Sequence, residues 1–157
     1  MANATAVAAY IVQKFNNLGN GKPELGGNND LTNLKLQKLL YFAQVEHMKA
    51  RDNKPLFEDE FEAWQYGPVI REIYNAFKQC GAYFITDFDI DYDSFGKVDE
   101  DAGAFLDKFF DKYSKFSAWA LVDKTHKQGS PWSKIYADGQ GDKTIIPKTL
   151  LIGAETM

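Results

Sequence analysis

A chain of 157 residues with 45% hydrophobic, 15% aromatic and 25% charged side chains has the material for one core-building domain, expected over 1–157, and lacks the composition of a disordered protein. No stretch approaches the ~20 apolar residues of a membrane span, Met1–Tyr10 lacks the basic and apolar regions of a secretory signal, and a single cysteine, Cys80, can close no internal disulfide; a cytoplasmic location is expected, with no membrane partner. The net charge of −4 belongs to the second half, since Met1–Cys80 holds nine Lys/Arg and nine Asp/Glu while Gly81–Met157 holds nine and thirteen.

Ala4–Leu18 reads as a first helix, with Val7, Ile11, Phe15 and Leu18 on one face, and the Gly- and Pro-rich run from Asn16 to Gly27 ends it in a loop. Thr32 is placed to cap a second helix. Leu36, Leu39, Leu40, Ala43 and His47 form its stripe, and Leu34, Tyr41, Phe42 and Val45 widen it until almost the whole helix must be buried, which makes it the expected centre of the fold. Leu56–Trp64 alternates apolar and acidic residues as a hairpin or strand pair would. Gly67-Pro68 is expected to open a third helix lined by Ile70, Ile73, Tyr74 and Phe77 and stopped by Gly81. Tyr83–Tyr92 alternates like a strand, with Phe88, Ile90 and Tyr92 on its apolar side and Asp87, Asp89, Asp91 and Asp93 on the other. Asp99–Phe116 is helical, with the aromatic stripe Phe105, Phe109, Tyr113 and Phe116; Ser117–Lys127 is a further helix carrying Trp119, Leu121 and Val122. Gly129, Ser130 and Pro131 punctuate, and Pro147–Ile152 adds a short turn. No internal repeat or interdomain linker is visible. The expected fold is α+β, a mainly helical single domain with a short antiparallel β element.

Catalytic and metal chemistry find little support in these residues. Asp89, Asp91, Asp93 and Glu100 fall at the first, third, fifth and twelfth places of a calcium loop, but Ser94 stands where the sharp turn needs glycine, so a solvated acidic edge is the preferred reading. His47 and His126 have no second His or Cys at helical spacing to complete a zinc set. Asp123, His126 and Ser130 name the types of a hydrolase triad, yet no nucleophile elbow or oxyanion hole accompanies them. No phosphate-binding glycine motif is present. Lys35 and Lys38 on the second helix are two lysines in a core-like stretch and no basic stripe. Seven acids and one base, Lys97, between Asp87 and Asp101 would repel phosphate and attract a basic partner, so nucleic acid is a poor ligand.

Three segments, Leu34-Lys35-Leu36-Gln37-Lys38-Leu39-Leu40-Tyr41-Phe42-Ala43, Ala63-Trp64-Gln65-Tyr66-Gly67-Pro68-Val69-Ile70-Arg71-Glu72-Ile73-Tyr74 and Thr125-His126-Lys127-Gln128-Gly129-Ser130-Pro131-Trp132, resemble in order and spacing the Panacea family of antitoxins, also described as SocA-like or GepA-like. The resemblance runs from about Leu31 to Ile146; the acidic stretch Asp87–Asp101 does not map onto the family pattern. It implies an antitoxin that neutralises a toxin encoded beside it by direct protein binding, often on phages or mobile elements, with no cofactor and no catalytic residue. Physically, Gly67 and Pro68 suit a strand-to-helix corner, and Trp64 and Trp132 could pack the motifs together or cap a groove. The expected partner-binding residues are Trp64, Tyr66, Arg71, His126 and Trp132, with Asp87, Asp89, Asp91 and Asp93. A proteolytic adaptor that presents its partner to a protease and a DNA-binding transcriptional regulator are the alternatives, and self-association is left open.

Overall fold

Helix α1 (Ala4–Leu18) begins under a borrowed cap, because the Asp59 carboxylate accepts the Ala4 amide at 3.1 Å from 55 residues away. A carboxylate there suits both the unpaired first-turn amides and the positive end of the helix dipole. The computed structural model describes residues 2–18 and 29–157. The helix has the expected bounds, Ala4–Leu18, so Asn16 to Leu18 are helical and belong to no loop, and the remainder of the glycine-rich run lies outside the described residues.

Helix α2 (Asn33–Ala50) is capped as the sequence suggests, with the Thr32 hydroxyl accepting from the Lys35 amide at 3.1 Å. It is buried nearly all round and runs through the middle of the fold. Burial on every face brings polar side chains inside, and each must find a partner or cost about 1–3 kcal/mol. Gln44 accepts from the Leu56 amide at 2.7 Å and donates to the Phe57 carbonyl at 2.8 Å. Gln37 accepts from the Ile70 amide at 2.9 Å and donates to Asn33. Lys35 bridges Asp30 and the Ser114 carbonyl, and Lys38 donates to the Pro68 carbonyl at 2.9 Å. The helix thus holds its surrounding loops by satisfying their backbone groups.

A three-stranded antiparallel sheet follows, in the order β2-β1-β3, from β1 (Phe61–Trp64), β2 (Gly67–Val69) and β3 (Thr144–Ile146). Ala63 pairs with Pro68 on one side and Thr144 on the other. The hairpin is therefore Phe61–Val69, several residues later than expected, and Gly67-Pro68 lies in a strand and does not open a helix. Pro68 fits because β2 is an edge strand, where a missing amide leaves no ladder bond unmade. Helix α3 (Arg71–Ala76) starts only after Ile70, whose amide Gln37 takes, and a 3₁₀ turn at Lys78–Cys80 leads to Gly81 at φ +57°.

The strand expected over Tyr83–Tyr92 does not form. A 3₁₀ turn at Asp87–Asp89 and a one-turn helix α4 (Tyr92–Phe95) replace it. The reason is local competition: Thr86 and Asp89 close a capping box, and Asp91 accepts from the Asp93 and Ser94 amides. Short polar side chains here offer the backbone turns in place of a ladder. Phe88, expected on a core-facing side, is 99% exposed. Helix α5 (Glu100–Tyr113), capped by Asp99, packs Leu106, Phe109 and Tyr113 inward. Helix α6 (Ala118–Thr125) is capped by Ser117, and helix α7 (Pro131–Tyr136), which the sequence reading passed over as punctuation, carries Ser130 as cap and Pro131 in its first turn. Strand β3 was also unanticipated; the Pro147–Ile152 turn is present as a 3₁₀ segment at Lys148–Leu151. One contiguous apolar cluster runs from Ala4 to Leu151.

Candidate partner-binding site

The three sequence motifs converge on the β1–β2 hairpin. From α2, Lys38 reaches beneath the turn to the Pro68 carbonyl. From the far side, the Trp132 indole donates to the Trp64 carbonyl at 2.7 Å. Gly67, at φ +113°, lies against both, since a Cβ there would stand 2.7 Å from Lys38 Cε and 2.9 Å from Thr125 Oγ1. Glycine is required twice over, for the dihedral and for the space. Thr125 donates to the Val122 carbonyl, Ser130 donates to the Thr125 carbonyl, and the His126 ring stacks on Trp132 at 3.9 Å, with Tyr136 on Trp132 at 4.7 Å.

Electrostatics at this junction follow from burial. Lys38 has 0% exposure, and loss of hydration brings its ammonium down to about 7. Burial also lowers His126, the Lys38 charge lowers it further, and its Nε2 is buried without a hydrogen-bond partner among the described residues. Ser130 and His126 do not form a nucleophile–base pair: the serine caps α7 and binds the Thr125 carbonyl. Lys35 and Lys38 are both buried, so neither is offered to a phosphate backbone.

The outer face of the junction is a cleft of about 580 Å³ walled by Trp64, Tyr66, Tyr74 and Trp119, with Lys38 under its floor and Lys78 and Lys143 at its edges. The Trp64 ring is held on several sides. Its Nε1 donates to Glu62, Tyr74 packs at 4.8 Å, and the Arg71 and Lys143 cations each lie 5.3 Å from its centroid. Arg71 also grips Glu62 through two nitrogens, at 2.7 and 3.0 Å, which holds the Glu62 carboxyl below its usual range. Tyr66 and Trp119 remain about half exposed, edge to face at 5.9 Å.

Of the nine residues expected to meet a partner, five gather here: Trp64, Tyr66 and Arg71 on the face, Trp132 and His126 behind it. Asp87, Asp89, Asp91 and Asp93 lie on a separate segment. Asp87 accepts from the Tyr92 hydroxyl, Asp89 from Thr86, and Asp91 caps α4. Asp89 also faces Cys80, whose thiol is raised mainly by burial and further by that carboxylate. The segment is anchored by the Ile85 amide on the Leu31 carbonyl and by Phe95 against Phe77. Beside the carboxylates stand three exposed aromatics, Tyr83, Phe84 and Phe88. The sequence reading missed Lys78, Trp119 and Lys143 as parts of a site. For Trp119 a signal existed: Leu121, Val122 and Thr125 are the buried side of α6, and Trp119 falls off it.

The family described as "Antitoxin SocA-like, Panacea domain" matches residues 36–133, a range that contains Lys38, Trp64, Gly67, Thr125, His126 and Trp132 but not Tyr136 or Lys143. The chain belongs to the SocA-like Panacea family of antitoxins. It is 33% identical over 119 residues to Antitoxin SocA of Caulobacter vibrioides (strain NA1000 / CB15N), a match covering 71% of this chain and 62% of the relative's length. No solved structure matches significantly. In this Panacea domain the motif letters are structural: Gln37, Lys38, Gly67 and Trp132 build the junction whose outer face is the cleft. Among the described residues no cluster of His, Cys, Asp and Glu could hold a metal ion, and no helix is long and apolar enough to cross a membrane.

Proposed function

We propose that this chain is the antitoxin of a toxin–antitoxin pair and neutralises its toxin by direct protein–protein binding, without catalysis. The similarity to Antitoxin SocA carries the reading. Surface chemistry supports it. Exposed Tyr66 and Trp119 on one side, and Tyr83, Phe84 and Phe88 on another, are the rigid, amphipathic anchors that protein interfaces use. The carboxylates beside Phe88 would speed the approach of a basic toxin surface, as charge complementarity acts mainly on association rate. Trp132 and His126 contribute from beneath, by fixing the hairpin that carries Trp64 and Tyr66.

Co-expression with the product of the neighbouring open reading frame tests this role. Restored growth in cells that lack the relevant protease supports neutralisation by binding; rescue only in protease-competent cells, with loss of the partner, would make the chain an adaptor. No rescue in either background would set the antitoxin reading aside.

A further inference from the structure

The cleft between Trp64, Tyr66, Tyr74 and Trp119 differs in charge from the protein around it. The chain is acidic overall, at −4, yet the exposed charged residues lining this cavity are Lys78 and Lys143 against Asp142 alone, Lys38 being buried and bound to the Pro68 carbonyl. Neither Lys78 nor Lys143 forms an ion pair among the described residues. Nearby Glu62 is bound by Arg71, and the Lys143 charge acts on it only at longer range while lying over the Trp64 ring. Unpaired ammonium groups at the edge of an apolar hollow attract an anion more strongly than they would on an open surface, because the low-dielectric walls focus their field. The cavity volume, about 580 Å³, lies within the range of sites that enclose a large side chain or a small ligand.

We propose that this cleft seats a segment of the toxin that presents a carboxylate next to an aromatic or large apolar side chain. The ring or alkyl group enters between Trp119 and Trp64, and the carboxylate meets Lys78 and Lys143. This site is distinct from the acidic segment 87–93, which suits a basic surface, so the two regions would engage opposite charges on the partner and fix its orientation. The proposal rests on the antitoxin reading for the identity of the partner, and on the cleft alone for the chemistry of what binds.

The chemistry is tested with N-acetyl-tryptophan against N-acetyl-tryptophanamide, which share the indole and differ in the carboxylate. Titration followed by amide chemical shifts should show saturable changes at Tyr66, Gly81, Trp119 and Lys143, with the carboxylate form binding about fivefold or more tightly. Lys78→Glu with Lys143→Glu should abolish that preference, whereas the charge-matched exposed pair Lys108→Glu with Lys115→Glu should retain it. Equal binding of both probes, or no shifts at these residues, would overturn the proposal. The toxin arm separates it from the reading beneath it. If wild-type protein binds the toxin and the Lys78/Lys143 variant binds it equally well, the antitoxin role stands and the cleft is not its seat. If wild-type protein binds no toxin, both fall.

Discussion

Lys38 donates its side-chain amine to the carbonyl of Pro68 at 2.9 Å from a position with no solvent exposure, and this one bond ties the central helix to the hairpin carrying Trp64 and Tyr66. The lysine sits where a methionine would pack, so its retention costs stability. Its pKa falls from 10.5 to about 7 on folding, meaning that the unfolded chain binds more protons between those values and stability rises with pH across that window. Below about pH 7 both states are protonated and the full penalty persists.

Lys38→Met should therefore stabilise the protein at pH 7 by on the order of 2–4 kcal/mol, after allowing for the lost bond to Pro68. The gain should fall by about 1.4 kcal/mol per unit as pH is raised and reverse before 10.5, where the lost bond to Pro68 is the difference that remains. Urea denaturation of both proteins across this range checks it. A difference that does not change with pH would contradict a desolvated amine.

His126 gives a second window on the acid side. Its folded pKa is lowered, by burial first and by Lys38 second, so the native state favours the neutral ring. Its contribution is complete above about pH 6.5 and is lost as pH falls below that value. His126→Gln should flatten the acid limb of the stability profile between pH 6.5 and the onset of general acid unfolding, measured by thermal melts.

Gly67→Val should destabilise by about 3 kcal/mol or more, because it combines a positive φ with a Cβ that has no room beside Lys38 and Thr125. Trp132→Phe keeps a ring to stack on His126 but removes the donor to Trp64, and should cost about 1–2 kcal/mol. Chemical denaturation measures both. An unaffected Gly67→Val variant would mean that the hairpin is not packed against α2 as described.

Helices α1, α2, α5 and α6 were legible because their signals are local. Thr32 caps α2 and Val7, Ile11 and Phe15 line α1 as their spacing requires. The hairpin was harder, since Gly67-Pro68 is as suitable for an edge strand as for a helix start, and only the distant Gln37 and Lys38 decide between them. The 83–92 segment misled for a different reason. Its alternation is real, but Thr86, Asp89 and Asp91 cap turns, and Phe88 points outward. Five of the expected site residues lie together because the motifs that hold them are fold-building; the lysines of the cleft come from three separate elements, and no sequence spacing relates them.

Phe88→Ser, which a core position would make severely destabilising, should leave stability within about 0.5 kcal/mol because the ring is exposed. Changing Asp87, Asp89, Asp91 and Asp93 to Asn should also leave the melt nearly unchanged, as Asn caps turns about as well as Asp. If this segment meets the toxin, Phe88→Ser should speed dissociation, while the fourfold Asn variant should slow association and flatten its salt dependence. An unaltered on-rate across a salt series would reduce the acidic edge to a solubilising surface.

The most direct test of the antitoxin reading is calorimetric titration of this purified protein into its purified toxin, with the toxin's activity assayed at each ratio and no protease present. The account predicts saturable binding, with toxin activity falling in step with complex formation. Tight binding that leaves the toxin active until a protease is added, or no binding at all, would contradict it.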